Sequence, residues 1–213
     1  MKGLFSRKSL TVGLGLLILG TTSIPAQADP TPPPPPGGTS AIDTSMCSAP
    51  EVSQPFLYAK DNHFYTLLPG QSEEGGFNGE GWVLRGGATI IATTLPDGST
   101  IQALSIPSGG EAVSPTICVN HEYPIARTLV RNANGGDGVN TYIAYEGTKT
   151  WEEPKSSNKF HGNSHKEWTL SSPINLQPAK SVEWQRLRLS FVGGGKESTF
   201  EICNFYVDPR MSR

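Results

Sequence analysis

From Cys47 onward no stretch of this chain keeps a helical period. Short apolar or alternating runs are instead cut off at close intervals by residues that reverse the backbone. Pro69-Gly70, Pro96-Asp97-Gly98, Ser108-Gly109-Gly110, Asn134-Gly135-Gly136-Asp137-Gly138 and Gly193-Gly194-Gly195 supply the fixed or positive φ that tight turns need. With 24 Gly and 18 Pro among 213 residues, the runs left between turns are strand-sized. They fall at 64–68, 82–85, 89–94, 101–106, 116–119, 127–131, 141–145, 166–170, 184–192 and 199–207. About ten short strands with frequent turns suit two packed antiparallel sheets, so the expected fold is an all-β sandwich.

The most legible run is Trp184-Gln185-Arg186-Leu187-Arg188-Leu189-Ser190-Phe191. Strict alternation puts Leu187, Leu189 and Phe191 on a core face and Trp184, Arg186, Arg188 and Ser190 on the other. The same split places Arg127 and Arg131 together on one strand face and exposes Tyr142 beside the apolar Ile143. Trp82, alternating with Leu84, and Trp168, alternating with Leu170, read as core residues. Trp151 sits in the long polar stretch 147–163, to which no strand is assigned.

The N-terminus has the three-part pattern of a secretory leader: Lys2, Arg7 and Lys8, the apolar run 10–20, then Ala26-Gln27-Ala28. That run is too short and too glycine-rich to span a bilayer. The expected organisation is a cleaved signal peptide over 1–28, a Pro-rich spacer over 29–46 and one domain over 47–213. Such a chain would be secreted, with no membrane segment left after cleavage. The spacer contains Pro32-Pro33-Pro34-Pro35-Pro36, an extended polyproline segment with nothing to bury. The formal charge of −2, more acidic once the basic leader is gone, excludes the cationic field that nucleic-acid binding needs.

Three cysteines in an exported chain predict one disulfide and one remainder. Cys47 lies at the domain entrance and Cys118 in a later strand, so pairing them would tie the first segment to a sheet. Cys203, among Phe200, Ile202 and Phe205, reads as a buried free thiol.

Motifs of catalysis are sparse. Gly193-Gly194-Gly195-Lys196-Glu197 lacks the Ser or Thr that a phosphate loop needs after its lysine, and reads as a hairpin. There is no Gly-x-Ser-x-Gly element. His161 and His165, with His121 or Glu122, have the composition of a metal site, but Gly162 and Asn163 indicate a solvated loop. Glu146, Glu152, Glu153 and Glu183 could supply the paired carboxylates of a glycosidase. No cofactor is called for, and Asp137 and Asp208 are the candidates for a structural calcium.

Several fragments resemble a family of uncharacterised secreted proteins of high-GC Gram-positive bacteria. They are Gly81-Trp82-Val83-Leu84-Arg85-Gly86-Gly87, Ser105-Ile106-Pro107-Ser108-Gly109-Gly110, Val113-Ser114-Pro115-Thr116-Ile117-Cys118-Val119, Pro173-Ile174-Asn175-Leu176-Gln177-Pro178 and the closing Phe205-Tyr206-Val207-Asp208-Pro209. The resemblance implies a jelly-roll sandwich similar to galactose-binding-like and carbohydrate-binding modules. The chain departs from such modules at Cys203-Asn204, where acidic residues are more usual.

Aromatic rings stack on the C–H faces of sugars, and Arg side chains fix hydroxyl or acidic groups. Trp184, Arg186, Arg188, Arg127, Arg131 and Tyr142 are therefore the candidate ligand residues, with the four arginines forming a cationic face. The expected function is a non-enzymatic module binding a glycan or cell-wall polymer. The alternatives are an envelope protein-interaction domain and, third, a polysaccharide hydrolase or lyase.

Overall fold

The computed structural model describes residues 44, 45, 47, 51–120, 125–147, 150–162, 165–176, 184–195 and 197–210, with the side chains of 208–210 not included. The leader and Pro-rich spacer lie outside these residues, as do His121, Glu122 and Glu183. A 3₁₀ turn, Leu57–Ala59, precedes fifteen strands. These are β1 (Phe64–Leu67), β2 (Gln71–Ser72), β3 (Gly76–Phe77), β4 (Val83–Arg85), β5 (Thr89–Thr94), β6 (Thr100–Pro107), β7 (Glu111–Val113), β8 (Ile117–Val119), β9 (Ile125–Asn132), β10 (Gly138–Tyr145), β11 (Lys155–His161), β12 (Thr169–Leu170), β13 (Ile174–Asn175), β14 (Gln185–Gly194) and β15 (Thr199–Arg210).

They form two sheets, an all-β sandwich consistent with a jelly roll. A nine-stranded sheet runs β12-β9-β15-β6-β3-β2, with β1 on β15, β13 on β9 and β5 on β6. A six-stranded sheet runs β11-β10-β14-β7-β4, with β8 also on β14. Pairing is antiparallel apart from the single parallel bridge Gly76↔Gln102. The core lies between the sheets. From β14 it takes Leu187, Leu189 and Phe191, the face that alternation predicts, and from the opposing sheet Ala126, Val130, Leu104, Ile106, Phe200, Ile202 and Phe205. Phe191 is central: its ring meets Trp82 and Phe160 at 6.4 Å and Phe205 edge-on at 5.4 Å. Cys47 and Cys118 are disulfide-bonded across a separation of 71 residues, and Cys203 is free and buried.

Three expectations are corrected. The polar run 155–161 is a strand, β11, because it pairs with β10 at the edge of the six-stranded sheet and buries only Phe160. Edge strands carry polar and charged side chains that discourage further pairing, and here they hide the strand from an apolar-pattern search. The triple glycine 193–195 is no hairpin: it closes β14 in one sheet and leads to β15 in the other. A Cβ at Gly193 would collide with the Pro107 carbonyl, so the crossover needs glycine there. Finally, Trp168 is not in the core. Only Thr169–Leu170 of the expected 166–170 strand pairs, and the indole stands half-buried on the outer side of the nine-stranded sheet, packed against a separate small cluster.

Candidate functional site

The outer face of the nine-stranded sheet is itself partly apolar. One cluster gathers Phe56, Tyr65 and Tyr206, and another gathers Ile101, Ala103 and Cys203, with Leu129 and Trp168 against it. Both depend on a bulge in β15. Asn204 takes a left-handed conformation, φ 51°, and the register against β9 shifts between Cys203 and Tyr206. The extra residue lets Cys203 and Tyr206 both face outward, while Ile202, Phe205 and Val207 face the core.

Between the clusters opens a cleft of about 440 Å³, walled by Phe56, Tyr58, Leu95, Trp168, Asn204 and Tyr206, with Asp97 at its rim. Phe56 fixes the aromatic end, meeting Tyr65 at 5.2 Å and Tyr206 at 5.4 Å, both edge-on. Tyr58 is 69% exposed and presents its ring to solvent. The Asn204 Oδ1 is buried and has no hydrogen-bond partner among the described residues. Burial first, then the Glu73 carboxylate, pushes the Tyr206 phenol up to about 12, so it stays neutral. Asp97 is held below its ordinary value by hydrogen bonds from the Ser99 hydroxyl and backbone N–H, and remains an acceptor.

The two arginines of β9 brace this cleft from either side of Leu129. Arg131 stacks on Trp168, its guanidinium carbon 4.9 Å from the ring centre, and pairs with Glu201 at 2.5 Å. The Trp168 Nε1 donates to the Thr94 carbonyl at 3.1 Å, so the indole is pinned at two points. Arg127 donates to Asp61 at 2.5 Å and to the Ser171 carbonyl, while Tyr65 and His63 also hydrogen-bond Asp61. Burial alone would raise the Asp61 carboxyl, but these bonds outweigh it and hold it far below the usual carboxylate range.

The opposite outer face belongs to the six-stranded sheet. Arg186 pairs with Glu146 at 3.0 Å. Arg188 lies 4.3 Å over Trp151 and its Nε donates to the Thr116 hydroxyl at 3.1 Å. Tyr142 is opposite Ser190 in the register and stands half-buried; Trp184 immediately precedes β14. The sequence-derived set is therefore divided. Tyr142, Arg186 and Arg188 share one sheet, Arg127 and Arg131 the other, and the expected common arginine face does not form. Among the described residues no group of three or more His, Cys, Asp or Glu could hold a metal. Asp137 instead receives Lys159 at 3.0 Å.

Sequence reasoning missed the cleft's aromatic wall. Pro55-Phe56-Leu57-Tyr58 precedes the first strand, where no periodicity exists to interpret. Its one visible signal was the density of aromatic residues in a stretch with no strand to bury them.

No family model matches the chain, and no curated protein matches it. Similar solved structures include the CBM22-1–GH10 modules of endo-1,4-beta-D-xylanase 10B of Clostridium thermocellum complexed with xylohexaose, with 15% identity, 70% of this chain and 29% of that chain covered, and a TM-score of 0.47. The arabinose-bound MgGH51 α-L-arabinofuranosidase gives 14% identity, coverages of 70% and 27%, and a TM-score of 0.46. The family 11 carbohydrate-binding module of the cellulosomal cellulase Lic26A-Cel5E of Clostridium thermocellum gives 8%, 70%, 96% and 0.42. This chain spans less than a third of the length of the first two.

Proposed function

We propose that this chain is an exported, non-catalytic glycan-binding module that holds a neutral stretch of sugar chain in the cleft on the nine-stranded sheet. The observation that carries this reading is the pairing of a pinned Trp168 and an exposed Tyr58 across one cleft, with the unpartnered Asn204 Oδ1 and the rim carboxylate of Asp97 beside them. Aromatic faces supply sugar-stacking surface at low entropic cost, and amide and carboxylate oxygens accept from hydroxyl groups. The two carboxylates bracing the cleft, Asp61 and Glu201, are each committed to an arginine, which favours binding over acid–base chemistry.

The test is retention of the purified chain on insoluble cellulose, xylan, chitin and peptidoglycan, with released sugar assayed in the supernatant. Salt-resistant retention on one polymer without released sugar, weakened at least tenfold by Trp168→Ala or Tyr58→Ala, is the expected result. Retention unchanged in both variants removes the cleft, and released sugar removes the non-catalytic reading.

A further inference from the structure

The cations of the six-stranded sheet differ in one respect. Arg85, Lys155, Lys159 and Arg186 each have a carboxylate oxygen within 3.2 Å, from Glu111, Glu152, Asp137 and Glu146 respectively. Arg188 has none among the described residues. Its guanidinium is nevertheless held rigidly, by the Trp151 ring below it and by the bond from Nε to Thr116. The Nη1 and Nη2 groups are then left as donors in a fixed plane, the edge that pairs with a carboxylate through two parallel hydrogen bonds. Beside Arg188 lies a pocket of about 280 Å³, near the roughly 300 Å³ lower end for small-molecule sites, walled by Val83, Val113, Pro115 and Thr116. Val83 is 45% exposed, so that wall is open to solvent.

We infer that this face carries a second ligand site, centred on Arg188, for the carboxylate-bearing sugar unit of an acidic polysaccharide. The guanidinium takes the carboxylate, and the Val83-Val113-Pro115 wall takes the apolar C–H face of the ring. That the apolar body is a sugar rests on the glycan-binding reading above; that the polar end is an anion follows from an arginine with no carboxylate beside it among the described residues. A single cation beside an apolar wall matches one charge on a ring, as in a uronate, rather than the repeated charges of a phosphodiester backbone.

Calorimetric titration of the full chain with trigalacturonate, with its methyl ester and with inorganic phosphate tests the site. Trigalacturonate binding should fall at least tenfold in Arg188→Gln and by a similar factor on esterification, which removes the charge and keeps the ring. Arg188→Lys should recover part of it, because charge returns without the planar fork. Lys155→Gln, which removes a carboxylate-paired cation at the edge of the same sheet, should leave it unchanged. Equal affinity for acid and ester, or unchanged affinity in Arg188→Gln, overturns the inference. So does phosphate binding through Arg188 without uronate binding. Neutral-polymer retention unchanged in Trp168→Ala and Tyr58→Ala, with uronate binding still lost in Arg188→Gln, would instead overturn the cleft alone, so the two readings fail separately.

Discussion

Replacing Arg127 by Met isolates what the buried ion pair beneath the cleft contributes, because the methionine keeps much of the apolar stem and removes the charge. The Asp61 side chain is only 5% exposed and that of Arg127 18%. Removing one partner of a buried pair costs about 3–5 kcal/mol, mostly as the penalty of an uncompensated charge. Tyr65 and His63 still hydrogen-bond Asp61, so the expected loss lies near the lower end, about 3 kcal/mol at pH 7. A urea midpoint should fall by about 1.5 M, taking a slope of about 2 kcal/mol/M for a domain of this size. The pH dependence gives the sharper check. In the native protein Asp61 is depressed, so its stabilisation is fully present above the ordinary carboxylate value near 4 and is lost as pH falls below it. Without Arg127, burial is opposed by fewer bonds and the carboxyl shifts upward, so the variant is relieved by protonation at acid pH. The stability gap should therefore narrow between pH 5 and pH 3, measured by urea titration with the disulfide intact. A gap under about 1 kcal/mol at pH 7, or the same gap at pH 3 and pH 7, would refute the argument.

Further outcomes follow from burial and from the disulfide. Cys203 is fully buried, and burial, helped by the Glu201 charge, pushes its thiol up to about 12, so it should resist a disulfide-exchange reagent in the native state and react once the chain is unfolded. Reducing Cys47–Cys118, at a sequence separation of 71, should lower stability by about 4 kcal/mol, seen as a shift of the denaturation midpoint. Phe191→Ala removes the ring that joins Trp82, Phe160 and Phe205 and should cost about 4 kcal/mol by the same measurement, whereas Tyr142→Ala, half-buried on the outer face, should cost about 1 kcal/mol or less.

How legible each strand was follows from how many of its faces are buried. β14 buries one, and its alternation gave the correct inward set from sequence alone. β9 was legible for the same reason, its inward Ala126, Thr128, Val130 and Asn132 alternating with the arginines. β11 buries too little to register, and β2, β3 and β13 are too short for a period to develop. No pattern could indicate which sheet an arginine occupies, since β9 and β14 each set two arginines on the outward face of an alternating strand. Nor could spacing anticipate that Asp61 and Glu201, 66 and 70 residues from Arg127 and Arg131, would neutralise them.

The cleft lies where the alternation fails, and one physical cause accounts for both. A strand buried on one side alternates; a strand with apolar neighbours on both sides loses that alternation, as Ile202-Cys203 and Phe205-Tyr206-Val207 do on either side of Asn204. β15 has the core on one side and the Phe56 and Ile101 clusters on the other, so its outward Cys203 and Tyr206 sit among apolar neighbours, while Glu201 meets Arg131. Those clusters cannot close over the sheet completely, because the αL bulge at Asn204 turns the strand between them and leaves an amide rather than an aliphatic side chain at the gap. On the six-stranded sheet Arg85, Lys155, Lys159 and Arg186 each meet a carboxylate, and Arg188, with none among the described residues, stands out for that reason. In each sheet the functional candidate is the residue at which the local rule is broken without a compensating partner in the described structure.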